Sequence, residues 1–262
     1  MNGFMIEYTG ASDIGMRRSN QDNYMVEGTP AFDDAAEYDQ KCGVLDTGLL
    51  RLLCVCDGVG GGTQGDLAAL TALRAIGRVT AGNGLADRSL DEVLELTAEA
   101  AQEAVVSKFW QEPLPGGCTL VMLAVRGDEW AFLNIGDSPG FLWKQKEGVL
   151  EELSVRHNLE WEKRRRGEIP GPRDGCYLQR YLGRRDNTAM EQAHTVRGTL
   201  RGGDKFLLCS DGITNAMSAE ELEKALAGTP YAADLVRHSA QIFGADNCTA
   251  VCIHVKKMEN ED

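Results

Sequence analysis

The sequence predicts an α+β chain built on antiparallel sheets. Three observations point there. Strand-like and helix-like segments come in clusters and not in strict alternation, which argues against a parallel βαβ sheet. Apolar runs repeatedly stop at an aspartate beside a glycine, the turn punctuation that bounds buried strands. Nothing divides the 262 residues, since there is no internal repeat and no linker rich in Pro, Gly or Ser.

Taken in order, residues 4–9 and 23–27 read as short strands. Residues 28–48 carry Asp33, Asp34, Glu37, Asp39 and Asp46 and read as a solvated loop. Residues 51–56 form a continuous apolar run closed by Asp57-Gly58, which suits a buried strand. After Gly60-Gly61-Gly62 comes a helix at 66–80. Gly82, Asn83 and Gly84 separate it from a second helix, 90–110, opened by the capping box Ser89-Leu90-Asp91-Glu92. Residues 118–153 read as a meander with strands at 118–126, 129–135, 140–144 and 149–153. A short helix is expected at 158–166. The run Lys163-Arg164-Arg165-Arg166 is its solvated C-terminal end, stopped by Gly167. Residues 168–187, rich in Gly, Pro and Arg, read as an irregular flap. Lys205 to Cys209 is an apolar strand. A second capping box, Ser218-Ala219-Glu220-Glu221, opens a helix, and another helix spans 231–243. The closing strand, Cys248 to Val255, places Thr249, Val251, Ile253 and Val255 on one face.

Composition narrows the function classes. Hydrophobic residues make up 43% of the chain, enough for a sizeable core. A net charge of −13 argues against a nucleic-acid surface, which needs Lys and Arg patches. The eight cysteines include no Cys-x-x-Cys pair and lie far in sequence from the four histidines, so zinc has no spacing to support it. Cys54, Cys56, Cys209 and Cys252 sit inside apolar runs and read as small buried hydrophobes in a reducing, cytoplasmic compartment. The N-terminus lacks a basic n-region and an apolar h-region, and no apolar run approaches about 18 residues, so neither a signal peptide nor a membrane span is expected.

Five acidic residues end or flank strand-like runs: Asp22, Asp57, Asp137, Asp211 and Asp246. A carboxylate fixed at the end of an apolar strand is costly to bury unless a cation compensates it. Several such ends converging would make an oxygen-only cage for a hard divalent ion such as Mg²⁺ or Mn²⁺. Each motif alone is weak, because Asp-Gly after a strand is most often an ordinary turn. The set and its order carry the weight.

Seven ordered pieces resemble the metal-dependent serine/threonine protein phosphatases of type 2C in their short bacterial form. They are Gly15-Met16-Arg17-Arg18-Ser19-Asn20-Gln21-Asp22, Val55-Cys56-Asp57-Gly58-Val59-Gly60-Gly61, Gly117-Cys118-Thr119, Asn134-Ile135-Gly136-Asp137-Ser138, Tyr181-Leu182-Gly183, Leu208-Cys209-Ser210-Asp211-Gly212-Ile213-Thr214 and Asp246-Asn247-Cys248-Thr249. The resemblance implies a four-layer α-β-β-α sandwich, two antiparallel sheets flanked by helices, filling residues 1–256 with a short acidic tail at 257–262. It implies hydrolysis of phosphoserine and phosphothreonine in proteins by a metal-activated water. Two core Mn²⁺ or Mg²⁺ ions and a weaker third are implied with it. Asp57 is similar to the carboxylate that bridges two metals, and Gly58 to the residue whose carbonyl ligates the second. Asp211 and Asp246 match the remaining ligands of the first metal, and Asp22 an acid that holds the second metal's water shell. Asp137, with Asp211, matches the third site. Arg17, four residues before Gln21, matches the phosphate-binding arginine, a role expected to leave metal affinity untouched. The implied partners are phosphoprotein substrates of a serine/threonine kinase, with a monomeric enzyme and no nucleic acid or membrane.

The chain departs from the family pattern in places. Gln21 stands where many members carry Glu, Val59 where some carry a His, and Gly62 where bacterial members often have His. Pro139 follows Asp-Ser in place of Arg, and Asn215 stands near a position that often holds Asp. His157-Asn158 only loosely matches Asp-His-Ser. Two further readings share the same residues: a pseudophosphatase that binds phosphoproteins without turnover, and a two-metal phosphoesterase of small molecules. A cysteine-phosphatase mechanism has no Cys-x-x-x-x-x-Arg loop to support it.

Overall fold

The computed structural model describes residues 3–33, 37–59, 64–113 and 116–258. Asp34, the Gly60-Gly61-Gly62 turn and residues 259–262 of the tail lie outside them. In the first half of the chain come β1 (Phe4–Asp13), β2 (Asn23–Val26), β3 (Thr29–Pro30), β4 (Tyr38–Asp46), β5 (Arg51–Cys56), β6 (Gly58–Val59), α1 (Gly65–Ala81) and α2 (Leu90–Lys108). The meander follows as β7 (Gly117–Cys118), β8 (Leu120–Arg126), β9 (Glu129–Ile135), β10 (Gly140–Lys144) and β11 (Val149–Glu152). Then come α3 (Leu159–Arg165), α4 (Ala189–Gln192), β12 (His194–Thr199), β13 (Lys205–Cys209), α5 (Asp211–Ala216), α6 (Ala219–Ala227), α7 (Ala232–Ile242) and β14 (Cys248–Lys257).

These elements build the expected α+β sandwich. One six-stranded antiparallel sheet runs β11-β10-β13-β14-β1-β4, the other β12-β9-β8-β5-β2-β3, and β6 pairs with β7 beside them. Alternation along each strand sorts side chains between layers. From β5, Leu53 and Val55 enter the core between the sheets with Val121, Phe132, Phe206, Val251 and Ile253. Its other face, Leu52, Cys54 and Cys56, meets Leu73, Ile76, Val93 and Leu94 of α1 and α2. On the far side, Leu207, Cys209, Ala250 and Cys252 pack beneath Ile213, Leu222 and Val236 of α5, α6 and α7. All eight cysteines are free, and six of them are buried. Among the described residues no helix is long and apolar enough to cross a membrane.

Both capping boxes are present, Ser89 with Glu92 and Ser218 with Glu221. A third, Thr188 with Glu191, opens α4 with the same signature. The acidic stretch 28–48 is not simply a loop. It holds β3 and β4, and β4 pairs with β1 from Met5↔Asp46 to Asp13↔Tyr38. As an edge strand β4 has one neighbour, and of its nine residues only Leu45 is buried. Acidic residues tolerate that half-wet position and mask the strand pattern. The closing strand runs to Lys257, and Met258 N–H donates to Gly3 O at 3.0 Å, so the sandwich continues past residue 256.

Lys205 is buried at the start of β13. Its Nζ donates to Leu226 O at 2.8 Å and Ala227 O at 3.3 Å, satisfying carbonyls left over at the end of α6. Lys205→Met keeps the apolar stem and removes the donor. The expected cost is about 1–3 kcal/mol, the range for stranding a buried polar group. Urea melts should show a lower midpoint at unchanged slope, and an unchanged midpoint would count against this role.

Candidate active site

A cavity of about 510 Å³ opens where the ends of β5, β9 and β13 meet the start of β14. Arg17, Asp57, Gly58, Asp137, Asp211 and Asp246 all line it. Asp22 does not. It is buried and lines a smaller neighbouring cavity of about 110 Å³. Cys176 and Leu178 of the irregular 168–187 segment form part of the main cavity wall.

Each carboxylate is set by the backbone beneath it. Asp57 N–H donates to Thr119 Oγ1 at 3.0 Å, and Thr119 N–H donates back to Asp57 O at 2.8 Å. Thr119 Oγ1 also meets Ser138 Oγ at 2.6 Å, so one hydroxyl ties Asp57 to the turn carrying Asp137. Gly58 N–H donates to Gln21 O at 3.1 Å. A Cβ on Gly58 would lie 2.5 Å from the carbonyl carbon of Gly65, so only glycine lets α1 begin there. Gly136 has φ +109°, and a Cβ there would strike Thr119 at 2.6 Å. Asp211 stands in the first turn of α5, directly after β13. Ser210 Oγ donates to Asp22 Oδ2 at 2.6 Å. Asn247 staples the 14–21 loop in place: its Nδ2 donates to Ile14 O at 2.9 Å and Ser19 O at 3.1 Å, and its Oδ1 accepts from Gln21 N–H at 2.9 Å. The sequence quotes Thr119, Ser210 and Asn247 inside its motifs, but their work is long-range and has no local signature.

The charges are raised against water and against one another. Burial, then Asp22, Asp211, Asp137 and Asp246, push the Asp57 carboxyl well above the ordinary range. Burial pushes Asp22 up to about 7, against the hydrogen bonds of Ser210 and Thr249, with Asp211 and Asp246 adding to the rise. Burial and Asp211 lift Asp137 to about 6. Burial and Asp246 raise Asp211, while the Asn215 side chain opposes the rise. An all-oxygen set in this state fits a hard cation, which would relieve both the repulsion and the desolvation. Among the described residues no group of three His, Cys, Asp or Glu side chains is placed to hold an ion on its own. Arg17 Nη2 donates to Asp246 Oδ2 at 2.9 Å, and Arg17 Nε donates to Ala245 O at 2.7 Å. Arg17 therefore touches one of the expected ligands and does not stand apart from them.

The sequence profile of the protein phosphatase 2C family matches residues 25–243. The chain belongs to the protein phosphatase 2C family. It is 27% identical over 262 residues to the serine/threonine protein phosphatase PstP of Mycobacterium tuberculosis, covering 96% of this chain and 45% of that protein. It thus spans less than half of that relative's length. It is 29% identical over 216 residues to the serine/threonine phosphatase Stp of Listeria monocytogenes, covering 77% of this chain and 83% of that one. The crystal structure of the PstP catalytic domain in complex with two manganese ions has the same fold. The TM-score is 0.75 at 24% identity over 97% of this chain and 99% of that one. The Streptococcus agalactiae serine/threonine phosphatase agrees at a TM-score of 0.77 and 21% identity, over 95% and 99%. The phosphatase 2C sandwich is therefore the frame on which these carboxylates sit.

Raised carboxyl pKa values make a definite stability prediction. The folded state keeps protons that the unfolded chain, with Asp near 3.9, has already released. Their contribution is full below that range and is lost as pH rises through about 6 and about 7 for Asp137 and Asp22. In EDTA, Asp57→Asn should therefore melt above wild type at neutral pH, with the gap closing on acidification toward pH ~4. Calorimetric melts across that window check it, and a gap that is constant or inverted would contradict it.

Proposed function

We propose that the protein hydrolyses phosphoserine and phosphothreonine in proteins, with Mn²⁺ or Mg²⁺ as the activating ion. The observation that carries this is one cavity combining four carboxylates with an arginine at its mouth. Asp57, Asp211, Asp246 and the Gly58 carbonyl would hold two ions, with Asp57 shared between them, and Asp137 with Asp211 would hold a weaker third. Asp22, buried and electrostatically coupled to Asp57, would add negative charge behind the second ion and help order its water. Bound divalent ions supply Lewis-acid activation of water and of the phosphoryl group.

The chain's own residues do the rest. Phosphate monoesters hydrolyse extremely slowly unaided, so positioning and charge stabilisation must supply the barrier reduction. Arg17 keeps a half-exposed guanidinium at the cavity mouth. Its planar fork suits two phosphate oxygens. In this structure the guanidinium rests on Asp246; once an ion takes that carboxylate, the guanidinium would be released to the phosphate. The 168–187 wall lines the cavity through Cys176 and Leu178, where it would meet the residues flanking the phosphorylated side chain. Substrates made by a serine/threonine kinase fit this chemistry. A net charge of −13 disfavours nucleic acid. All donors are oxygen, so Zn²⁺ is not the expected native ion.

A phosphothreonine peptide and p-nitrophenyl phosphate should both turn over in Mn²⁺ and not in EDTA, and Asp57→Asn should remove turnover in either. Full activity in EDTA, or strict dependence on Zn²⁺, would defeat the proposal.

Arg17→Ala should raise KM for the phosphopeptide, as loss of a phosphate anchor requires. It should also lower the half-activating Mn²⁺ concentration, by up to about fivefold, because an exposed ion pair worth up to about 1 kcal/mol no longer competes for Asp246. Steady-state kinetics with a calorimetric Mn²⁺ titration measures both. Unchanged Mn²⁺ affinity would mean the Arg17–Asp246 pair has no bearing on the site.

A further inference from the structure

We propose that His157 is a positioning residue for Asp137: it grips the Gly136-Asp137-Ser138 turn from behind and joins that turn to the 168–187 cavity wall. The inference rests on reading Asp137 as a site carboxylate. His157 is buried between β11 and α3. Gly136 N–H donates to its Nδ1 at 3.2 Å, and His157 N–H donates to Gly136 O at 3.0 Å. Next to this clamp, Asn134 Nδ2 donates to Val155 O at 2.7 Å, and Val155 N–H donates to Asn134 Oδ1 at 3.1 Å. Residues 155–157 are thereby zipped onto the end of β9. Across the turn, Ser138 Oγ is held by Thr119 Oγ1 at 2.6 Å. Asp137 is thus fixed by the residues on either side of it, one gripped by Thr119 and one by His157.

The same residue reaches the cavity wall. Gln179 N–H donates to His157 O at 2.8 Å, and Asn158 forms a backbone bridge with Leu178. The imidazole meets Trp161 edge-on with centroids 5.2 Å apart, and Arg180 lies over the same indole at 5.0 Å. Leu178 lines the cavity, so the wall and the Asp137 turn are joined through the backbone of His157 and Asn158 and the His157 imidazole. The clamp needs a free lone pair on Nδ1. Burial, with Arg180 and His194 nearby, pushes the imidazole down to about 3 and keeps it neutral. The proton then resides on Nε2.

The test compares His157→Leu with His157→Asn in the full chain, since an Asn Oδ1 can occupy the place of Nδ1 and accept from Gly136. Three quantities are read: kcat/KM on a phosphothreonine peptide in saturating Mn²⁺, the half-activating Mn²⁺ concentration, and native-state exchange of the Gly136 amide by NMR in metal-free protein. His157→Leu should lower kcat/KM by about tenfold or more, the scale of losing an outer partner of a metal site, and raise the Mn²⁺ requirement. Its Gly136 amide should exchange faster, while amides in the middle of β9 stay protected. His157→Asn should restore most of all three. A His157→Leu protein with wild-type kinetics and wild-type Gly136 exchange overturns the inference. So does equal damage in both variants that tracks melting temperature, which marks a packing residue. If wild type itself fails to hydrolyse the peptide, the phosphatase reading falls, and Gly136 exchange still decides the role of His157.

Discussion

Asp57 ends a buried strand with its carboxyl partly withdrawn from water and set against four other aspartates. An isolated carboxylate in such a place would be far too costly to keep charged, and the ordinary outcome is a raised pKa or a bound cation. Most of what surrounds the cavity makes sense as support for that one charge. Asp57 has both its backbone groups occupied by Thr119. Asp22, buried and electrostatically coupled to it, is held by Ser210 at 2.6 Å. That support continues inward: Thr249 N–H donates to Ser210 Oγ at 3.0 Å, Thr249 Oγ1 meets Ser12 Oγ at 2.8 Å, and Asn20 Nδ2 donates to Ser12 Oγ at 2.8 Å. A buried polar network of this kind is worth having only when it is satisfied, and then it is rigid.

The sandwich explains why the carboxylates can be placed at all. Strands of both sheets end at one rim, and each delivers an acid from a rigid base, Asp57 after β5, Asp137 after β9 and Asp211 after β13. The loops bring what strands cannot. The 14–21 loop, pinned by Asn247, carries Arg17, and the 168–187 segment supplies an irregular wall. The sheets pack while the loops complete the cavity, and the mutual repulsion of the carboxylates at the rim is offset by the apolar cores. Cys176 and Leu178 of the 168–187 segment line the same cavity as the carboxylates.

Much of this was legible in the chain, for physical reasons. The apolar runs Leu52–Cys56 and Lys205–Cys209 announce buried strands because both of their faces are covered. The boxes at Ser89 and Ser218 are local signatures that fold as written. The edge strand β4 was hidden, because a strand wet on one side can carry Asp39 and Asp46 and read as a loop. Asp57 and Asp211 stand out as strand-end acids, whereas the depth of Asp22 depends on Ser210, which is 188 residues away. The Arg17–Asp246 pair and the grip of His157 on Gly136 are likewise contacts between distant segments, and periodicity and spacing say nothing about such contacts. The order of the seven motifs did reveal the family, since it records which segments must meet.

Whether these aspartates share ions decides how the cavity works. The most direct measurement is anomalous scattering at the manganese edge from crystals soaked in Mn²⁺. Two peaks about 3.5–4 Å apart are expected, with Asp57 between them and Asp211 and Asp246 around the first. Manganese bound elsewhere on the surface, with Arg17 still on Asp246 and no density at Asp57, would contradict it.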